Sequence, residues 1–149
     1  MSPLRRLRGR PGVVGVVDGD EPPLQDVIDL LNGVTGPLAV LVDDAMLLNN
    51  APVAELLEHV AREGLDLGHA LVVAGSADEL IRPMRGFIYA AGQARAGLML
   101  CPEAPTQGEL FGVRFTRSMV FRGPVGRGVH VSHGHMQVAQ VPRADLGEG

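Results

Sequence analysis

The sequence predicts an α/β fold in three layers, with a mostly parallel sheet and an antiparallel hairpin at its C-terminal edge. Three observations carry this. Two continuous apolar runs of strand length, Leu38-Ala39-Val40-Leu41-Val42 and Ala70-Leu71-Val72-Val73-Ala74, suit parallel strands buried on both faces. Segments with apolar residues at helical spacing lie around them. Beyond residue 110 the pattern changes to strand-like segments with a tight turn near His133-Gly134. At 149 residues the chain has the length of one compact domain, and a hydrophobic content of 46% supplies its core. Aromatic residues make up only 3%, with no Trp, so that core must be built from Val, Leu, Ala and Met.

The elements are predicted in order. Val13-Val14-Gly15-Val16-Val17 reads as a short buried strand, closed by a turn over 18–23. Leu24, Val27, Ile28 and Leu31 stand at i, i+3, i+4 and i+7 and predict a helix over 24–31, ended by Asn32-Gly33. The strand over 38–42 follows. A helix over 51–63 has Asn50 as cap, Pro52 in its first turn and an apolar stripe of Val53, Leu56, Leu57 and Val60. Glu58 and Arg62 pair along it, and Gly64 stops it. After the strand over 70–74, Ser76 and Glu79 have capping-box spacing for a short helix to Ile81. Pro83 breaks that helix. A further helix over 84–94 and a fourth strand over 97–100 come next, then strands over 111–115 and 129–141. Residues 1–142 are read as one domain and 143–149 as a frayed tail.

Charge and composition exclude several classes. A net charge of −4 gives no global basic field for nucleic acid. All thirteen basic residues are Arg, so lysine-dependent chemistry has no residue to use. The single cysteine, Cys101, rules out an internal disulfide framework and fits a reducing cytosol. Arg5, Arg6, Arg8 and Arg10 begin the chain, but the apolar run after them is too short and ends in Asp18, unlike a signal peptide. No window approaches the ~18 apolar residues of a membrane span.

The most informative residues are Asp43 and Asp44, directly after an apolar strand. In open parallel sheets, ligands sit at the carboxyl ends of the strands. Two adjacent carboxylates repel, so a cation or a set of donors normally accompanies them. A Walker-B element has this form: an apolar strand, an Asp holding Mg²⁺ through water, then an acid that orients the attacking water. Asp43 takes the magnesium role in that reading and Asp44 the catalytic role. The plainer reading is a strand end opening a solvated loop. Receiver domains also pair acids after a strand, but they need a later phosphoacceptor Asp and a Lys. No Asp lies between Asp78 and Asp145, and Lys is absent.

The run Gly36-Pro37-Leu38-Ala39-Val40-Leu41-Val42-Asp43-Asp44-Ala45 resembles the Walker-B region of actinobacterial FtsK/SpoIIIE-type ATPases, a group that includes the EccC-type motors of type VII secretion. The resemblance continues in order through Ala70 to Ser76, Gly108-Glu109-Leu110-Phe111-Gly112-Val113-Arg114, Gly123-Pro124-Val125-Gly126-Arg127-Gly128-Val129 and Val138-Ala139-Gln140-Val141-Pro142. It implies the C-terminal half of a RecA-like P-loop core acting on ATP with Mg²⁺. Ser76 would then be a polar sensor at the strand edge, and Arg127, in its Gly-Arg-Gly turn, a subunit-interface or phosphate contact. It implies other ATPase domains or subunits as partners, as a homo-oligomer or in tandem. DNA or a secreted polypeptide would be cargo of a full-length protein. The setting would be cytoplasmic, with any membrane tether outside this segment. The departures are definite. A Walker A loop needs a Lys on the β/γ phosphates, and this chain has none. Asp44 stands where active ATPases more often carry Glu. The chain alone is therefore expected not to hydrolyse ATP. The alternative is a degenerate, non-catalytic module for protein–protein interaction or regulation.

Other candidates have plainer readings. Ser76 fits a helix cap. Arg127 fits a turn in which the glycines matter more than the Arg. Arg82, Arg85 and Arg95 are arginine-finger candidates, or solvated helix residues. His130, His133 and His135 have metal-ligand spacing but no Cys or carboxylate beside them in sequence. Asp18, Asp20 and Glu21 hint at a calcium loop that Pro22 and Pro23 interrupt. Cys101 reads as a small buried residue. The arginines of 5–10 suit phosphates or a solvated loop, without aromatics for base stacking.

Overall fold

The computed structural model describes residues 2–120 and 123–142. It is a mixed α/β structure whose chain divides into two compact units. The first holds the described residues of 1–76 together with Pro83–Ala91; the second holds Ala77–Arg82 and the described residues from Gly92 onward.

In the first unit, β1 (Ala39–Val42) and β2 (Ala70–Val73) pair in parallel, from Ala39 opposite Ala70 to Val42 opposite Val73. Helix α1 (Leu24–Asn32) precedes them, and the Gly33 amide donates to the Asp29 carbonyl to close it. Helix α2 (Ala54–Glu63) packs against β2 and buries Leu57 and Val60, two residues of its expected stripe. Glu58 and Arg62 form the anticipated i,i+4 pair at 2.7 Å. The chain then tightens into a 3-10 turn, Gly64–Leu67, ended by Gly68 at φ +75°, the left-handed conformation that glycine adopts freely. Helix α4 (Gly86–Gly92) contributes the buried Phe87, Ile88 and Ala90.

The second unit is built on an antiparallel sheet in the order β3 (Gly97–Leu100), β4 (Arg127–Ser132), β5 (His135–Gln140). His133 at φ +50° and Gly134 at φ +78° join β4 to β5. Two positive-φ residues in a two-residue loop match the twist of the flanking strands. One face of this sheet closes on Phe111 and Phe115 through Met99, Val129 and Val131. A 3-10 segment, Pro105–Phe111, supplies the first aromatic and packs against the single-turn α3 (Ala77–Leu80).

Several expectations are corrected. Residues 13–17 form no strand; Val14 and Val17 are exposed, and a side chain at Gly15 would strike Leu30 of α1. This segment lies against a helix where a strand would need a sheet neighbour. Helix α2 begins at Ala54, because Asn50 to Pro52 turn locally and the Ala54 amide bonds the Ala51 carbonyl. Helix α4 is shorter than 84–94. Residues 111–115 alternate in exposure as a strand does, yet their amides turn back on the preceding segment: Val113 to the Gly108 carbonyl and Phe115 to that of Pro105. The strand at 97–100 forms but joins β4 in antiparallel fashion, so only two of the five strands in the described residues are parallel. The parallel pair is not buried on both faces, since Leu41 is 48% and Val72 51% exposed, side by side across the ladder. Residues 143–149 lie outside the described residues.

The second unit depends on close backbone approach as well as on its aromatics. A Cβ at Gly128 would run into the Met99 carbonyl oxygen of the neighbouring strand. Gly128→Ala is therefore expected to destabilise this unit, as is Phe115→Ala, by about 3–5 kcal/mol for the aromatic truncation. Val125→Ser, at a position 95% exposed, is expected to stay within about 0.5 kcal/mol of the parent. Urea unfolding followed through the Val129 and Val131 methyl signals checks all three.

Candidate functional site

The site begins where β1 ends. The Ala74 amide donates to the Val42 carbonyl at 2.8 Å, and the Ala45 amide donates back to the Ala74 carbonyl at 3.0 Å. These two bonds fix the backbone on either side of Asp43 and Asp44 to the carboxyl end of β2. Ala45, fully buried, anchors the far side of the loop. Asp44 takes up the turn at φ 48°, ψ 46°, a left-handed conformation that Asp tolerates better than most residues. Its carbonyl accepts from the Leu47 amide at 2.9 Å and starts the 3-10 turn Ala45–Leu48. Asp44 is exposed and Asp43 half-buried. The two acids thus stand at the carboxyl end of a parallel pair, where α/β sheets hold ligands.

Asp43 has a partner the sequence does not reveal. The Ser2 hydroxyl donates to Asp43 Oδ2 at 2.6 Å, and the Ser2 oxygen accepts from the Leu4 amide at 3.2 Å. Ser2 thereby caps the 3-10 turn Pro3–Leu7. That cap is readable locally, as Ser followed by Pro at the first helical position. The contact across 41 residues is not.

The same turn is held at a second point. Arg5 Nε donates to Asp18 Oδ1 and Arg8 Nη2 to Asp18 Oδ2, each at 2.7 Å. Arg8 Nη2 also reaches the Val16 carbonyl at 3.1 Å. Arg5 and Arg8 are therefore paired with an acid in their own unit while remaining exposed, as a solvated segment would be. Asp18, expected in a surface turn, is the centre of this clamp. Beside it, a concavity of about 630 Å³ opens between residues 15–18 and α1, lined by Arg8, Asp18, Asp26, Asp29 and Leu30. It is separate in lining from the acid pair.

The remaining candidates are placed as follows. Ser76 is exposed, three residues beyond β2 and directly ahead of α3. Arg127 belongs to the second unit, as the first residue of β4. Its turn is dictated by its glycine neighbours: Gly126 sits at φ +85°, and a side chain there would collide with the Val141 carbonyl. Cys101 is exposed at φ +45°, not buried, because the chain must turn between β3 and the buried Pro102. His130, His133 and His135 are exposed, and His133 Nδ1 lies 2.9 Å from the Ser132 hydroxyl. Among the described residues no three His, Cys, Asp or Glu side chains gather as a metal site would require. Comparison with protein-family models, with curated proteins and with solved structures gives no match.

Partial desolvation raises the Asp18 carboxyl, but the hydrogen bonds and charges of Arg5 and Arg8 outweigh it and hold the group below its usual range. A depressed folded pKa means that the clamp is intact above the unfolded carboxylate value and is lost as pH falls through the lower folded value. Carboxyl ¹³C titration should give Asp18 a midpoint below that of an ordinary Asp. The double variant Arg5→Ala, Arg8→Ala should move it back up.

Proposed function

We propose that this chain supplies the Walker-B carboxylates of an FtsK/SpoIIIE-type ATPase. It would be the C-terminal part of a RecA-like core whose lysine-bearing phosphate loop comes from outside the chain. One observation carries the reading: an acid pair sits at the carboxyl end of a parallel strand pair whose other apolar face, Leu41 beside Val72, is about half exposed. Parallel strands are normally covered on both faces, so this pair has the character of part of a larger sheet. The ordered segments quoted above support the family assignment, and the lack of Lys supports an incomplete site.

In this reading Asp43 would hold Mg²⁺, which would neutralise phosphate charge, and Asp44 would orient the attacking water. Both residues are reached from solvent. Asp43 is steadied by its half-buried setting, while the left-handed turn at Asp44 swings the second acid outward. Ser76 would serve as a polar sensor at the strand edge, and Arg127, in the other unit, as a subunit-interface or phosphate contact in the completed assembly. ATP and Mg²⁺ are the ligands, and other ATPase domains or subunits, as a homo-oligomer or in tandem, are the partners. DNA or a secreted polypeptide would be moved by the full-length protein. No helix among the described residues is long and apolar enough to cross a membrane. The second reading, a non-catalytic regulatory module, is favoured by one feature: the second acid is the shorter Asp.

Mn²⁺ serves as the test cation. Its paramagnetism should broaden the backbone amides of Asp43, Asp44, Ala74 and Gly75 before others, and Asp43→Ala should abolish that pattern. ATP turnover by the chain alone should not exceed background. Broadening centred elsewhere, or unchanged in Asp43→Ala, contradicts the assignment.

A further inference from the structure

We propose that β5 is a docking edge for a second copy of this chain, the two β5 strands running antiparallel about a two-fold axis at Val138. This names a surface for the homo-oligomer of the reading above, but it rests on the antiparallel unit alone and stands or falls apart from Asp43.

The hairpin fixes which backbone groups of β5 face outward. Across a two-residue loop with both residues at positive φ, the flanking residues Ser132 and His135 exchange both ladder bonds. Bonded and unbonded pairs then alternate along the ladder. His130–Gln137 and Gly128–Ala139 are bonded; Val131–Met136, Val129–Val138 and Arg127–Gln140 are not. The bonds at the strand ends agree. The Val141 amide donates to the Gly126 carbonyl, and the Arg127 carbonyl turns away from β5 to accept from the Cys101 amide beyond β3. The amides and carbonyls of Met136, Val138 and Gln140 therefore point off the open side of the sheet. Among the described residues no partner meets them.

Sheet edges are normally blunted by charge, by proline or by a bulge. From Gly128 to Pro142 the chain has no Asp, Glu, Lys or Arg. Within β5 there is no proline, and its residues pair one to one with β4 without a bulge. The edge is also self-complementary. About a two-fold at Val138, Val138 meets the partner's Val138, and Met136 and Gln140 meet the partner's Gln140 and the partner's Met136. Each of these pairs can exchange both bonds, and no like charges come together. Val138 lies on the core face beside Val129 but is 37% exposed, while Met136 packs on the same core. Pairing sets Val138 beside the partner's Val138 and continues that apolar face across the axis. The β3 edge fits a partner less well. Only Leu98 and Leu100 point outward from it, and the chain turns off at Cys101 with φ +45°. Joining β3 of one copy to β5 of the next would leave free edges at both ends and build an open chain of copies.

Sedimentation equilibrium of the full chain from about 10 μM to about 1 mM reads the association, and amide exchange on the same samples reads where it occurs. A single strand edge buries little surface, so the dimer is expected to be weak, with a Kd on the order of 100 μM. The mass should rise toward twice 15.7 kDa and stop there. The amides of Met136, Val138 and Gln140 should exchange about fourfold more slowly at the top of the range than at the bottom, with those of Leu98 and Leu100 unchanged. Val138→Pro removes one outward amide at a position where an edge strand tolerates proline. It should weaken association at least about tenfold, with the Val129 and Val131 methyl signals in place. A chain that stays monomeric to the top of the range overturns the dimer and leaves the Asp43 reading standing. Slowing confined to other amides or shared with Leu98 and Leu100, a mass that climbs past the dimer, or a folded Val138→Pro that associates as the parent does overturns it equally. If Val138→Pro loses the methyl signals, the exchange pattern of the parent decides.

Discussion

The parallel pairing of β1 with β2 is the constraint on which the candidate site depends. Each strand has only four residues, and a two-stranded sheet is marginal without further cover. Its persistence here comes from the helix laid on one side and from the bonds that continue past the strand ends. The Ala74 amide extends the ladder by one step, and the Ala45 amide returns across it. Those bonds determine where Asp43 and Asp44 stand. With Ala45 buried beneath the loop and Asp44 in a left-handed turn, the two acids cannot both point into the same environment. One is held half-buried by a serine hydroxyl; the other faces water.

The same pairing leaves a consequence uncompensated within its unit. Leu41 and Val72 lie side by side on the outer face, both about half exposed. Burying such a pair stabilises by on the order of 1 kcal/mol or more per side chain, so their exposure forgoes a term that strands of this composition usually gain. The antiparallel unit differs. Its sheet has one face closed by Phe111 and Phe115, and antiparallel sheets commonly leave the other face wet. The expectation of a largely parallel sheet fails for this reason. Residues 97–100 have the right composition for a strand, but strand composition does not say which neighbour it will join.

Legibility in the sequence follows the range of the interaction. The α2 stripe, the Glu58–Arg62 pair, the His133-Gly134 turn and the acid pair at the end of β1 are all set by residues close in the chain, and each is found where periodicity or turn chemistry places it. Residues 13–17 mislead because an apolar run names no ladder partner; without one the segment lies along α1 and leaves Val14 and Val17 exposed. Residues 111–115 mislead because alternation in exposure arises here from local turns. Ser2 on Asp43, and Arg5 and Arg8 on Asp18, are side-chain contacts across loops. Nothing in a single sequence marks them beyond the local Ser-Pro cap. The family resemblance is ordered along the chain but rests on short segments.

In the proposed function the acid pair is one half of a nucleotide site, with the phosphate-binding half supplied elsewhere. Calorimetry of Mg-ATP against this chain tests that most directly. The account predicts no measurable heat of binding, because carboxylates without a lysine-bearing phosphate loop do not retain a triphosphate. Micromolar binding of Mg-ATP by the chain alone would contradict it.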